Sequence, residues 1–155
     1  MNQRDIEEFE INNGTAPGLV PPKITKEKTS FIPTDLERAL HEGQAPWKNP
    51  IKKTEFYWVF KDGYPVTEGH LLFVPTQDKV VPNYLECVRA AYEYGYKGIR
   101  DKSWPAFNIG QNIGEAAGQT VMYPHIHFIP RRTGDMIDPR GGVRHVIPEK
   151  GNYRV

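Results

Sequence analysis

The chain has 155 residues, 38% of them hydrophobic, with 20 Lys and Arg against 19 Asp and Glu for a formal net charge of +1. That length suits one domain with a sizeable core, the near-zero charge excludes a general affinity for nucleic-acid polymers or acidic membranes, and no apolar run approaches the ~20 residues that span a bilayer. The acidic, polar stretch Met1–Glu10 is unlike a secretory signal, and the single Cys87 fits a reducing compartment, so a cytoplasmic protein is expected.

Residues 1–30 have few periodic apolar positions and are punctuated by Asn12-Asn13-Gly14 and Pro21-Pro22. They are expected to form an arm, with 31–155 as a single domain ending in a tail. Thr34-Asp35-Leu36-Glu37 has the pattern of a capping box and predicts a short helix ending near Gly43. Ala45 to Lys53, with Pro46 and Pro50, reads as a connector. Phe56 to Phe60 is aromatic and β-branched and predicts a strand; Lys61 to Pro65 reads as a turn. Gly69-His70 leads into a second strand, Leu71 to Val74, ended by Pro75. Over 83–100, Leu85, Val88, Ala91 and Tyr92 recur at helical spacing, with Asn83 as the expected cap and Gly95 or Gly98 near the end. Cys87 falls inside this helix and is expected to be packing. Ala106 to Gly110 predicts a third strand, Gln111 to Gly118 a Gly-rich loop, and Thr120 to Ile129 a fourth strand. Arg140 to Pro148 is expected to add one more short strand. This order predicts an α+β fold, an antiparallel sheet carrying one long helix and a short N-terminal one.

The chemistry concentrates in the fourth strand. Alternation puts Tyr123, His125, His127 and Ile129 on one face and Pro124, Ile126, Phe128 and Pro130 on the other, with the two imidazoles about 7 Å apart by strand rise. An imidazole at neutral pH serves as nucleophile, proton donor or metal ligand. Gly110, Gly114 and Gly118 permit close backbone approach, and Gln119 and Thr120 supply an amide, a hydroxyl and N–H donors suited to phosphate oxygens. A phosphorus held there could be attacked by His125, provided its Nδ1–H finds an acceptor, such as a backbone carbonyl, so that Nε2 carries the lone pair. A zinc site built from His70, His125 and His127 is the rival reading, although no carboxylate or Cys sits near the His pair in sequence. From Arg131 onward six basic residues face three acidic ones, an excess that suits either a phosphorylated small molecule or a solvated surface.

Gly118-Gln119-Thr120-Val121 followed by His125-Ile126-His127-Phe128-Ile129-Pro130-Arg131 resembles the histidine triad (HIT) superfamily of nucleotide hydrolases and transferases. Gly69-His70-Leu71-Leu72-Phe73-Val74-Pro75 is similar to an upstream strand of that family, and Arg131 to Asp135 to a segment of its diadenosine-polyphosphate hydrolase branch. The resemblance implies His125 as the nucleophile that attacks the α-phosphorus and His127 as the contact to phosphate and leaving group. It implies Asp62 on the ribose, Asn112 and Thr120 with Gln119 on the phosphate side, Phe60 and Leu72 lining the base pocket, and His70 as a supporting histidine. It also implies a nucleotide substrate, no metal or cofactor, and a homodimer with a continuous sheet. One position departs: Tyr123 stands where the family has its first histidine. A backbone carbonyl survives that replacement, and the phenol is expected to supply part of the lost hydrogen bonding. Two other readings follow from the same residues, a nucleotide-binding regulatory module with little turnover and a zinc-dependent hydrolase.

Overall fold

The computed structural model describes residues 32–153, so the expected arm at 1–30 lies outside the described residues. Five strands form one antiparallel sheet in the order β1-β2-β3-β5-β4. They are β1 (Lys52–Lys53), β2 (Tyr57–Lys61), β3 (Leu71–Pro75), β4 (Ala106–Gly110) and β5 (Ile126–Arg131). A long helix, α2 (Val81–Arg100), covers one face; a short helix, α1 (Asp35–His41), belongs to the other. The α+β fold expected from the sequence is the observed one. No helix among the described residues is long and apolar enough to cross a membrane.

The two faces follow from strand alternation. Tyr57, Val59, Leu71, Phe73, Ile126 and Phe128 pack with Cys87, Ala90 and Ala91 of α2. Trp58, Phe60, Leu72 and Val74 pack with Leu36 and Ala39 of α1 and with Tyr123. Because β2 and β3 are buried on both faces, they read as continuous apolar runs. β5 alternates buried and half-buried residues, so His127, Ile129 and Arg131 stand on the α1 side without α1 above them. Pro130 sits opposite Phe107 of β4 and outside the pairing with β3, of which only Leu71 to Phe73 pair with β5.

Several local expectations are corrected. The capping box of α1 forms as read, Thr34 Oγ1 accepting from Glu37 N and Glu37 accepting from Thr34 N. Asn83 is not the cap of α2, which starts two residues earlier with Pro82 in its first turn. Its amide instead donates to Phe56 O and Thr76 Oγ1 from a buried position. Leu85 and Tyr92 are exposed, and the buried stripe runs through Asn83, Cys87, Ala90, Ala91, Gly95 and Gly98. The two glycines lie inside the helix because rings press on it: an added Cβ would meet Phe107 at 2.6 Å from Gly95 and Trp104 at 2.0 Å from Gly98. The last strand begins at Ile126, not Thr120, and the expected tail strand is a 3₁₀ turn, Gly142–Val146, followed by the short helix α3 (Pro148–Gly151). Gly141 and Gly142 both have positive φ, which no strand accommodates. Lys52–Lys53, read as connector, pairs with Val59 and Trp58.

Candidate active site

Hairpin register builds the site. Phe60 pairs with Leu72, and Lys61 with Leu71; Asp62 N then donates to His70 O at 3.1 Å, so the ladder continues one step past the strands. Asp62 and His70 therefore point to the same side as Phe60 and Leu72. Leu72 pairs in turn with His127, which puts His127 on the diagonal from His70, within reach of long side chains.

The hydrogen bonds then fix the tautomers. Val66 N–H donates to His70 Nδ1 at 3.3 Å, so that nitrogen is an acceptor and the proton of neutral His70 sits on Nε2. His70 Nε2 lies 2.9 Å from His127 Nδ1. His70 is therefore the donor, His127 Nδ1 the acceptor, and neutral His127 carries its proton on Nε2. Burial lowers the pKa of His70, and Asp62 opposes this. His127 falls to about 4, chiefly through burial and then through the neighbouring His125 and His70. Both rings are thus neutral at pH 7, in agreement with a single shared proton between them. Asp62 Oδ2 stands 3.4 Å from His70 Nε2 and 3.8 Å from His127 Nδ1, while Oδ1 accepts from Tyr64 N.

His125 has the opposite tautomer. Its Nδ1 lies 2.9 Å from Tyr123 O; a carbonyl only accepts, so Nδ1 carries the proton and Nε2 the lone pair. The His125 and His127 rings are 5.0 Å apart, closer than strand rise suggested because His125 precedes the strand. Trp47 stands edge-on to His125 at 5.1 Å and against Phe60 at 5.8 Å. Its position beside His125 was not legible in the sequence, since residue 47 reaches the site only through the packing of the connector.

The other expected residues fall in different places. Asn112 is half-buried and lines a cleft together with His70 and His127. Thr120 is exposed. The Gln119 carboxamide is committed to its own loop, its oxygen accepting from Gly114 N and its nitrogen donating to Val121 O and Met122 O. The Tyr123 hydroxyl donates to Pro75 O at 2.9 Å from a buried position, so the phenol does not take over the hydrogen bonding expected beside His125. Burial, then the Asp35 and Asp78 carboxylates, raises its pKa. Phe60 and Leu72 are sealed in the cluster that includes Leu36; the open cleft lies over β5 and β4. Cys87 is buried, and its thiol is pushed up to about 12 by that burial, which makes it unreactive.

Asp62, His70 and His127 form the one cluster of potential metal-ligating groups among the described residues, with donor atoms all within 4.8 Å of one another. It replaces His125 of the zinc set expected from sequence by a carboxylate.

No protein-family model matches the chain. A HIT-like protein of Methanocaldococcus jannaschii is 30% identical over 102 residues, which cover 60% of this chain and 75% of the relative. The chain belongs to the HIT family. Among further HIT relatives, the asymmetrical bis(5'-nucleosyl)-tetraphosphatase of Schizosaccharomyces pombe is 30% identical over 91 residues. That match covers 54% of this chain and 49% of the yeast protein, so the chain spans about half of that relative. A HIT family protein from Bacillus anthracis has the same fold, with a TM-score of 0.52, 24% identity, and coverage of 76% of this chain and 77% of the other.

Proposed function

We propose that this HIT protein hydrolyses a nucleotidyl substrate at its α-phosphate through a nucleotidyl-histidine intermediate. The observation that carries the reading is the opposed pair of tautomers: a bare Nε2 on His125 and, on the ring 5.0 Å away, a protonated Nε2 on His127. One attacks and the other donates a hydrogen bond. The base lies against Trp47, which itself packs on the buried Phe60, and Asp62 keeps lone pairs for the ribose hydroxyls. Asn112 and Thr120 hold phosphate oxygens. His125 Nε2 forms a bond to phosphorus as the bond to the leaving group breaks, and the electron pair departs with the leaving atom. His127 Nε2–H stabilises the oxygen that gathers charge. Water then attacks phosphorus, loses its proton to solvent, and the P–N pair returns to His125. The candidate substrates are diadenosine polyphosphates and adenylated small molecules; the tetraphosphatase relative supports the first.

The test is AMP release from diadenosine tetraphosphate and from an adenylated small molecule, with acid-quenched protein analysed for AMP on His125. His125→Ala is expected to lower the rate by three orders of magnitude or more, on the order of the ~4 kcal/mol that nucleophilic catalysis contributes. A rate equal to that of the unmodified protein would falsify the assignment.

Two other readings have their own observations. Tyr123, turned to Pro75, favours a nucleotide-binding module with little turnover; calorimetric binding of AMP without any product would establish it. The Asp62, His70 and His127 donor atoms, at separations of 2.9, 3.4 and 3.8 Å, are close to the ~3.3 Å spacing that tetrahedral zinc with ~2.0–2.1 Å bonds requires. Elemental analysis of purified protein decides that reading, and absence of stoichiometric zinc ends it.

A further inference from the structure

On the face of the sheet away from the histidines, α2 does not cover every strand evenly. The rings of Phe107 and Trp104 press into the helix at Gly95 and Gly98, which seats it toward the β4 edge. Its other flank, with Ala90, Lys97 and Arg100, faces β2 and β3 across a groove of about 570 Å³, a volume within the range of organic-ligand sites. Val59, Leu71, Phe73 and Ala90 form a buried apolar floor. The rim is exposed and carries Lys52, Lys97 and Arg100 together with Glu93.

The rim offers charge of one sign. Glu93 is turned to Arg89, which donates to it at 2.7 Å and is shared with Glu86. Lys97 is paired with Asp101. Lys52 and Arg100 have no carboxylate partner among the described residues. Arg100 belongs to the last turn of α2, where a cation complements the helix dipole. Lys52 serves no helix. It pairs with Val59, which puts its side chain on the α2 face, and its Nζ donates to the Tyr57 hydroxyl at 3.2 Å. A hydroxyl takes one of three ammonium donors and supplies no countercharge. An apolar floor beneath two uncompensated cations is complementary to an amphipathic anion. A cationic amphiphile would meet like charge there, and a neutral one would leave both cations without a counterion.

We infer that the groove between α2 and the β1–β2–β3 edge binds an organic anion with a carboxylate or phosphate head and a single apolar tail. The head lies between Lys52 and Arg100, and the tail covers Val59, Leu71 and Phe73. The site is separate from the hydrolase reading above: none of its residues is among the reacting groups, and it opens on the opposite face of the sheet from His127.

The experiment titrates the full chain with decanoate, decyl phosphate and decanol in a calorimeter, each below the concentration at which it aggregates. Saturable binding of one anion per chain is expected, with decanol weaker by roughly tenfold; the tighter of the two anions identifies the head. Lys52→Glu combined with Arg100→Glu is expected to weaken decanoate by roughly tenfold or more. Lys53→Glu adds the same kind of charge to the next residue, which pairs with Trp58 and faces the other side of the sheet, and is expected to leave decanoate within about twofold. All three lysine and arginine positions are exposed, and urea midpoints confirm that the variants fold. Absence of saturable decanoate binding, equal affinity for decanol and decanoate, or equal losses in the two variants overturns the site. Sedimentation covers the remaining occupant: if the double variant has half the mass of the unmodified protein, a second copy fills the groove and the inference is likewise overturned.

Discussion

Replacing Tyr123 by Phe separates what its side chain does from what its carbonyl does. The hydroxyl donates to Pro75 O at 2.9 Å in a buried setting, while Tyr123 O accepts from His125 Nδ1. Phe keeps the ring, its contact with Trp47 at 6.4 Å and the carbonyl, and removes one hydrogen bond. A buried hydrogen bond contributes about 1 kcal/mol net, and an acceptor left unpaired costs about 1–3, so a loss of about 1–2 kcal/mol is expected. For a domain of this size that is a fall in Tm of roughly 3–8 °C. AMP release should stay within about threefold of the unmodified protein, because less than ~1 kcal/mol of transition-state stabilisation is at stake. Urea denaturation at equilibrium and steady-state AMP release measure the two quantities. Undiminished stability with a collapse of turnover would refute the reasoning, since the phenol would then be acting on His125 or the substrate.

The protonation of His127 predicts an acid-sensitive fold. Its pKa is lowered to about 4 in the folded chain, against about 6.5 unfolded, so the unfolded state binds the proton first as pH falls. Stability is therefore full above pH 6.5 and is lost between about 6.5 and 4, by about 2 kcal/mol at pH 4.5. His127→Gln, which cannot titrate, should lose that much less between pH 7 and pH 4.5 in urea melts; an identical loss in both proteins would contradict the assignment. Gly98→Ala puts a methyl group 2.0 Å from the Trp104 ring. Overpacking of about 1–3 kcal/mol outweighs the ~1 kcal/mol that alanine gains in a helix. Lower stability is expected, and an unchanged or raised urea midpoint would show that the ring moves aside freely.

What the sequence made legible was what is local. The Thr34–Glu37 box and the two apolar runs needed only neighbouring residues, while Asp62 stands out only through the resemblance to the HIT family. What it hid depends on distant partners. Asn83 looks like a cap until the carbonyl of Phe56 is beside it. Leu85 and Tyr92 match a helical period, yet the sheet takes the stripe with Cys87, Ala90 and Ala91. The Gln119 carboxamide faces its own loop because Gly114, Val121 and Met122 satisfy it. The short strand β1 exists only through its pairing with Val59 and Trp58. The cleft over β5 and β4 escaped notice because the tail that walls it read as a strand, and its 3₁₀ turn is set by consecutive left-handed glycines.

The hairpin joining β2 to β3 bears on how such proteins can be found at all. Asp62 and His70 meet because they close the ladder directly across from each other, so the seven residues between them measure a connector's length and nothing chemical. A cousin with a longer excursion there, still offering an amide to the ring as Val66 does, would keep its carboxylate and imidazole in place. It would nonetheless slip past any search keyed to that interval, and library design could lengthen the same excursion without disturbing the reacting groups.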